Sequence, residues 1–252
     1  MPEVAQLDWP HAKLLIEVEP NKQAGPLATY RANAFRKEPW QQPYIEGMAP
    51  GGPANGGSVF YDIGANVGSY ALAAASRGVM TVAIEPGFSN YAALCRNALM
   101  NKLLPRIIAL PVALAGETGL SWFDYQDVRA GAASHVLGSS APVYFSTHRQ
   151  MVQVYALDDL IATFKLPHPT HIKIDVDGNG DVELALIAGM AGVLADERTQ
   201  ALMVECPLET EAQIVETLAK SGWHMAERFD TRDGQRIQGI CYGLFKRELP
   251  EP

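Results

Sequence analysis

The seven residues Asp62-Ile63-Gly64-Ala65-Asn66-Val67-Gly68 stand where an apolar run gives way to a helical stretch. A turn of this kind can lie under a polar or negatively charged ligand. The amino terminus of a helix has N–H groups without partners, and glycine permits close backbone approach. The spacing reads D-x-G-x-N-x-G and so fails the G-x-G-x-x-G dinucleotide pattern. Asn66 occupies the middle-glycine position, which asparagine can do because it tolerates left-handed dihedrals better than most residues. Glu85 ends the next apolar run and is followed by Pro86. A carboxylate at that strand end can accept hydrogen bonds from both hydroxyls of a ribose.

Two more carboxylates follow apolar runs, Asp175 after His171-Ile172-Lys173-Ile174 and Glu205 within Ala201-Leu202-Met203-Val204-Glu205-Cys206. Adjacent strands would put both on one rim of a sheet, where they could act as a base or hold a divalent ion. His135 and His148 are alternative bases, since histidine titrates near neutral pH, although a surface position is the plainer expectation for each. Asp175 to Asp181 spells D-x-D-G-N-G-D, which imitates the start of a calcium loop. Its twelfth position is Leu186 instead of a bidentate Glu, and the loop follows a strand, so no residue is assigned to a metal. Lys173, inside an apolar run, is expected to reach its edge in a structural role.

These groups need a frame, and the apolar periodicity supplies one. From Ser58 short apolar runs alternate with helical stretches: Val59 to Gly64, a helix from about Val67, Val79 to Pro86, a helix from Ser89, then Arg106 to Leu114. The rhythm resumes with His171 to Val176, a helix from about Val182 to Ala195, Ala201 to Cys206 and a helix from Glu209 to Lys220. Continuous apolar runs mark strands buried on both faces, as in a parallel sheet covered by helices. Two closing strands, near Met225 to Phe229 and Ile237 to Phe245, flank a hairpin-type turn at Thr231 to Gly234. The expected fold is α/β, a Rossmann-like seven-stranded, mostly parallel sheet with an antiparallel carboxyl-terminal hairpin and helices on both faces. Residues 115–156 interrupt it as a substrate-side insertion, hairpin strands plus a loop. There Trp122, Phe123, Tyr125, Tyr144 and Phe145 read as hairpin core or as a platform for a sugar.

At this point the chain resembles the FkbM family of S-adenosylmethionine-dependent, Rossmann-type methyltransferases, over about Ser58 to Pro207. The resemblance rests on V-F-Y-D-I-G-A-N-V-G-S-Y, A-I-E-P-G-F-S-N-Y-A-A-L-C-R-N, V-Q-V-Y-A-L-D-D-L, H-I-K-I-D-V-D-G and A-L-M-V-E-C. It implies S-adenosylmethionine as cofactor, with Asp62, Gly64, Ala65, Asn66 and Gly68 around the methionine part and Glu85 on the ribose. It also implies Pro86, Val112 and Ala113 beside the adenine, and Asp175 facing the reacting centre. Ser134 and His135 are similar to a polar patch in this family's loop. The family reads K-I-D-V-E-G-x-E where this chain has K-I-D-V-D-G-N-G-D-V-E, so that Asp177 matches the first Glu and Glu183 the second. The resemblance further implies O-methylation of a hydroxyl on a sugar, glycan or secondary metabolite.

Two rivals come from other classes. A nicotinamide-dependent oxidoreductase would use Glu85 equally well but lacks its glycine pattern. A catalytically silent binding module would keep the fold alone.

Composition narrows the partners. The chain has 252 residues, 28 acidic against 20 Lys plus Arg, a formal charge of −8 and 48% hydrophobic residues. That excess of acid argues against nucleic-acid backbone as a partner, and no apolar run reaches the roughly 20 residues of a membrane span. A small-molecule or glycan acceptor is expected. Cys95, Cys206 and Cys241 show no metal spacing and read as reduced thiols, and the beginning of the chain lacks a signal-peptide pattern, so a cytoplasmic location is expected. Residues 1–57, Pro-rich and closed by A-P-G-G-P-A-N-G-G, read as an arm and linker whose one helix would span Leu27 to Lys37, with 58–252 as the catalytic domain. The arm's Trp9, Tyr30, Phe35, Trp40 and Tyr44 are expected to cover the site or a subunit contact.

Overall fold

A computed structural model describes residues 3–18, 31–138, 146–177, 181–232 and 235–247. Tyr30, Tyr144, Phe145, Gly178 to Gly180, Asp233 and Gly234 lie outside these residues.

In chain order the strands are β1 Glu3–Gln6, β2 Leu15–Val18, β3 Val59–Ile63, β4 Met80–Ile84, β5 Ile107–Leu110, β6 Ala113–Leu114, β7 Gly119–Tyr125 and β8 Val136–Leu137. They continue as β9 His148–Tyr155, β10 His171–Ile174, β11 Ala201–Pro207, β12 Trp223–Phe229, β13 Thr231–Arg232, β14 Gln235–Arg236 and β15 Ile240–Arg247. The α-helices are α1 Ala34–Lys37, α2 Gln41–Glu46, α3 Ser69–Ser76, α4 Phe88–Met100, α5 Leu157–Phe164, α6 Asp181–Ala188, α7 Ala191–Ala195 and α8 Glu211–Ala219.

The central sheet has seven strands in the order β12-β15-β11-β10-β3-β4-β5. The five from β11 to β5 are parallel, and β15 pairs antiparallel with β11 and with β12, as the expected hairpin requires. From β3 the chain winds outward through β4 and β5, then returns to lay β10 and β11 on the other side of β3. The carboxyl ends of β3 and β10 therefore form the topological switch point, where open α/β sheets bind ligands. Alternate residues of each strand feed two apolar layers. Phe60 and Met203 face α3, α4 and the arm, whereas Tyr61, Ile172 and Val204 face the layer of α5, α6, α7 and α8.

Several elements differ from the sequence reading. Arg106 to Leu114, read as one strand, splits at Pro111: β5 stays in the central sheet while β6 joins a separate four-stranded sheet, β6-β9-β7-β8. Proline has no N–H to continue a ladder, so the chain can leave one sheet for another there. The stretch 182–195 is two helices, α6 and α7. A Cβ on Gly189 would lie 2.3 Å from the carbonyl oxygen of Ala115, so at this break the backbone packs directly against the insertion's first residues.

The arm is more ordered than its proline content suggests. β1 and β2 pair antiparallel, and Leu7, Trp9, Ile16, Phe35, Ile45 and Met48 are buried in the layer that covers α3 and α4. The helix expected over 27–37 is, among the described residues, a single turn at α1. The Asp8 carboxylate accepts the N–H groups of Phe35 and Arg36, so a residue far back in sequence caps it. Tyr44 sends its hydroxyl across the sheet to the carbonyl oxygen of Ile172 at 2.8 Å.

In the insertion, Phe123 and Tyr125 are core, whereas Trp122 is 40% exposed with the Arg149 guanidinium 4.5 Å above its ring. Lys173 does not reach an edge. It is buried, with Nζ 2.7 Å from Asp175 and 4.0 Å from Asp62.

Candidate active site

A cavity of about 440 Å³ opens at the switch point. Its floor is the β3–α3 turn. Gly64 has φ +78° there, and a Cβ at that position would lie 1.7 Å from the carbonyl oxygen of Asp175, so only glycine lets β3 and β10 end side by side. Asn66, at φ 52°, takes the left-handed conformation its type predicts and points its side-chain amide at the Ala132 carbonyl oxygen, 2.8 Å away.

Glu85, at the end of β4, is buried and lines the cavity. One carboxylate oxygen accepts the Asn66 N–H and the other the Gly87 N–H, both at 2.8 Å. Burial pushes its carboxyl up to about 7 against the pull of these donors. Pro86, Ile84, Val112, Ala113, Leu114 and Leu137 give that end of the cavity an apolar wall beside the carboxylate. The fork at Pro111 is what brings Val112 and Ala113 to this wall.

The same cavity is lined by Asp175, Asp177 and Glu205, with carboxylate oxygens that all lie within 4.8 Å of one another. Such a set can hold a divalent cation or share protons. Burial works against ionising Asp175, but the Lys173 ammonium holds its carboxyl below the ordinary carboxylate range. Glu205 is pushed well up by burial, and further by the negative charges of Asp175 and Asp177. Asp175 and Glu205 also share a side-chain hydrogen bond, which favours the charged form of Asp175 and the neutral form of Glu205. Asp177, raised by burial and by Asp175, accepts the Ser134 N–H.

His135 also lines the cavity and is buried, where a surface position was the plainer expectation. The Gln126 N–H donates to its Nδ1 at 3.3 Å, which leaves the ring proton on Nε2. With burial driving its pKa down to about 4, the ring is neutral at pH 7 and serves as a donor. His148 lies on the exposed side of β9, its ring against Phe88 and Tyr125.

Among the remaining residues read from sequence, Asp62, Ala65 and Gly68 are not part of the cavity lining. Asp62 is fully buried beside Lys173, and burial raises its carboxyl to about 6. Gly68, φ +92°, caps α3, where Leu94 packs so closely that a Cβ would sit 2.4 Å from its Cδ1. Glu183 is buried on α6, and its neighbour Val182 lines the cavity.

Sequence reasoning missed the far wall of the cavity, made by Arg31 and Glu38 from the arm and by Arg232 and Tyr242 from the carboxyl-terminal strands. The one available signal was register: a hairpin partner for β11 sets Tyr242 directly opposite Glu205. Asn90, on α4, was also missed, and it ties the Gly131 N–H and the Ala132 carbonyl oxygen of the insertion to this rim.

The profile of the methyltransferase FkbM domain matches residues 62–214, more than half of the chain. Among solved structures, an FkbM methyltransferase from Methylobacillus flagellatus is similar at TM-score 0.50 and 17% identity, covering 74% of this chain and 43% of that one. A precorrin-6y C5,15-methyltransferase from Geobacter metallireducens gives TM-score 0.49 and 12% identity, with 92% and 94% covered. The putative methyltransferase yhhF from Escherichia coli gives 0.49 and 13%, with 98% and 99% covered. No curated protein matches the chain. At 17% identity the likeness to the Methylobacillus flagellatus structure speaks for the fold alone, a Rossmann-like α/β sheet.

Proposed function

The chain belongs to the FkbM methyltransferase family, and from that premise we propose that it methylates a hydroxyl group of a sugar, glycan or secondary metabolite with S-adenosylmethionine as donor. The carrying observation is that Glu85 and the Asp175–Glu205 pair line one cavity. The donor set fits this cofactor. A carboxylate offers about four acceptor sites, and the three N–H groups on Glu85 leave about one for a ribose hydroxyl, with an apolar wall for a flat base alongside.

Glu85 would hold the ribose, and Pro86, Val112 and Ala113 the adenine. The turn at Gly64 and Asn66 would hold the amino-acid end, next to Asp175. When bound, S-adenosylmethionine supplies a methyl on a sulfonium, and transfer forms a carbon–oxygen bond as the carbon–sulfur bond breaks with its electron pair left on sulfur. The chain's task is to aim the acceptor hydroxyl and to take its proton. Asp175, ionised beside Lys173 and bonded to Glu205, can accept that proton, and His135 Nε2–H can donate to a neighbouring oxygen of the acceptor. A divalent ion on Asp175, Asp177 and Glu205 would instead lower the hydroxyl's own pKa. Among the described residues no helix is long and apolar enough to cross a membrane. A cytoplasmic location and a small-molecule or glycan acceptor belong to the same proposal.

Calorimetry with S-adenosylhomocysteine and NAD tests the cofactor reading, with micromolar binding of the first and none of the second expected. Binding of NAD alone would overturn it. Mass spectrometry of a hydroxylated acceptor panel, with and without chelator, tests the chemistry. Activity lost with chelator and restored by magnesium supports the metal route, and indifference supports the carboxylate base.

A further inference from the structure

The far wall of the cavity is a chain of hydrogen bonds with a definite direction. The Tyr242 hydroxyl lies 2.6 Å from Glu205 Oε2 and 3.4 Å from Glu38 Oε1. It has one proton, and the short contact takes it, so Tyr242 donates to Glu205. In return the hydroxyl oxygen accepts from Arg232 Nη2 at 3.2 Å. The same Nη2 donates to Glu38 Oε1 at 2.6 Å, and Glu38 Oε2 accepts the Tyr70 hydroxyl at 2.6 Å. Glu38 thus anchors Arg232, Arg232 orients the tyrosine proton, and that proton seats Glu205 against Asp175.

Tight packing alone does not call for this arrangement. The flanking positions on the same strands, Met203 and Leu244, are apolar and face the same layer. Burying Glu38, Glu205 and Tyr242 instead carries a desolvation cost that apolar side chains would avoid. A buried polar network that ends on two carboxyls in a cavity is placed to control those carboxyls.

We infer that Tyr242 is a positioning residue for methyl transfer, and that the Glu38–Arg232 pair behind it makes the arm part of the acceptor end of the cavity. This rests on the methyltransferase reading above. Tyr242 acts through Glu205, which it holds where the acceptor hydroxyl meets Asp175.

The test uses Tyr242→Phe in the full chain. The ring keeps its contact with Trp40, so the change removes the hydroxyl and little else. Three measurements are made: S-adenosylhomocysteine affinity, the crystal structure of the complex, and turnover of the acceptor that the panel identifies. Expected are an affinity within about twofold of wild type, because the cofactor end is untouched, and a Glu205 carboxyl displaced by more than ~0.5 Å, the tolerance within which reacting groups must be held. Turnover should show kcat reduced about 100-fold with KM changed far less, since misplacement by about 1 Å costs that much. A merely structural tyrosine would not split kcat from KM in this way. The pose of Glu205 decides even before an acceptor is in hand: an unmoved carboxyl overturns the inference, as does a wild-type kcat. Should Tyr242→Phe fail to fold, Glu38→Gln puts the same question, with the same displacement expected through Arg232. If wild-type protein binds no S-adenosylhomocysteine, the methyltransferase reading fails instead, which these outcomes keep separate.

Discussion

Cofactor binding should release a proton, and Glu85 is the source. Its carboxyl titrates at about 7 in the free protein because burial opposes ionisation. Ribose hydroxyls donate to a carboxylate, so binding favours the ionised form and must pull that pKa down. The apparent affinity then scales with the ionised fraction, about one eleventh at pH 6 and about ten elevenths at pH 8. S-adenosylhomocysteine should bind about tenfold tighter at pH 8 than at pH 6, a difference of about 1.4 kcal/mol, with nearly one proton released at pH 6. Titration calorimetry in buffers of different ionisation enthalpy reads both quantities. The sign for stability is opposite. A raised acid binds more protons folded than unfolded, so without ligand this group's contribution is present below its ordinary 4.5 and is lost as pH rises through 7. Glu85→Gln should abolish the pH slope and weaken binding by about 1–3 kcal/mol, since a neutral amide has one acceptor oxygen for two backbone N–H groups. A flat pH profile with no proton release in wild type would mean that the ribose does not sit on Glu85.

Asp175→Asn should lower kcat at least 100-fold and also lower the melting temperature. The buried Lys173 ammonium would lose the charge of its nearest carboxylate, and weakening a bond to a buried charge costs about 1.5–3 kcal/mol, readable by calorimetry. Unchanged turnover of an identified acceptor would make Asp175 a structural partner of Lys173. Gly64→Ala should fail to give folded protein, or lose several kcal/mol by denaturant titration, because its Cβ has no room beside Asp175; wild-type stability would contradict the packing at the switch point. Deleting residues 1–57 should abolish the cooperative thermal transition, since it strips Trp9, Ile16, Phe35, Ile45 and Met48 from the layer over α3 and α4 at about 1.5–3 kcal/mol per buried side chain. A sharp transition at the wild-type temperature would show that layer to be self-sufficient.

Where the sequence speaks clearly, one local cause suffices. Continuous apolar runs announce the parallel strands, and the D-x-G-x-N-x-G spacing announces the turn after β3, because glycine and asparagine take its positive φ angles more readily than most residues. Glu85, Asp175 and Glu205 are legible for the same reason, since each ends or nearly ends such a run. Legibility fails where distant segments decide. α1 begins where Asp8 caps it, a fact that residues 27–37 cannot contain. The apolar run at 106–114 does not reveal that its halves serve different sheets. Lys173 looks like an edge residue until Asp62 and Asp175 are seen beside it. Tyr242 has no motif, and its role depends on a pairing of β11 with β15 that only the closed sheet defines.

The wall behind Glu205 joins the two ends of the described chain. Glu38 lies 194 residues from Arg232 and 204 from Tyr242, among the longest loops that any polar contact closes here. Contacts of that separation form late in folding, after shorter closures have reduced their entropic cost. While the chain is being made, the cofactor turn, β4 and the insertion can all assemble before β15 has been synthesised. Until it arrives, β11 presents a bare edge, and Glu205 and Asp175 stand close together with no hydroxyl between them and the arm. The wall therefore waits on the last strands of the chain, and Glu38 has neither Arg232 nor Tyr242 to hold until they are in place.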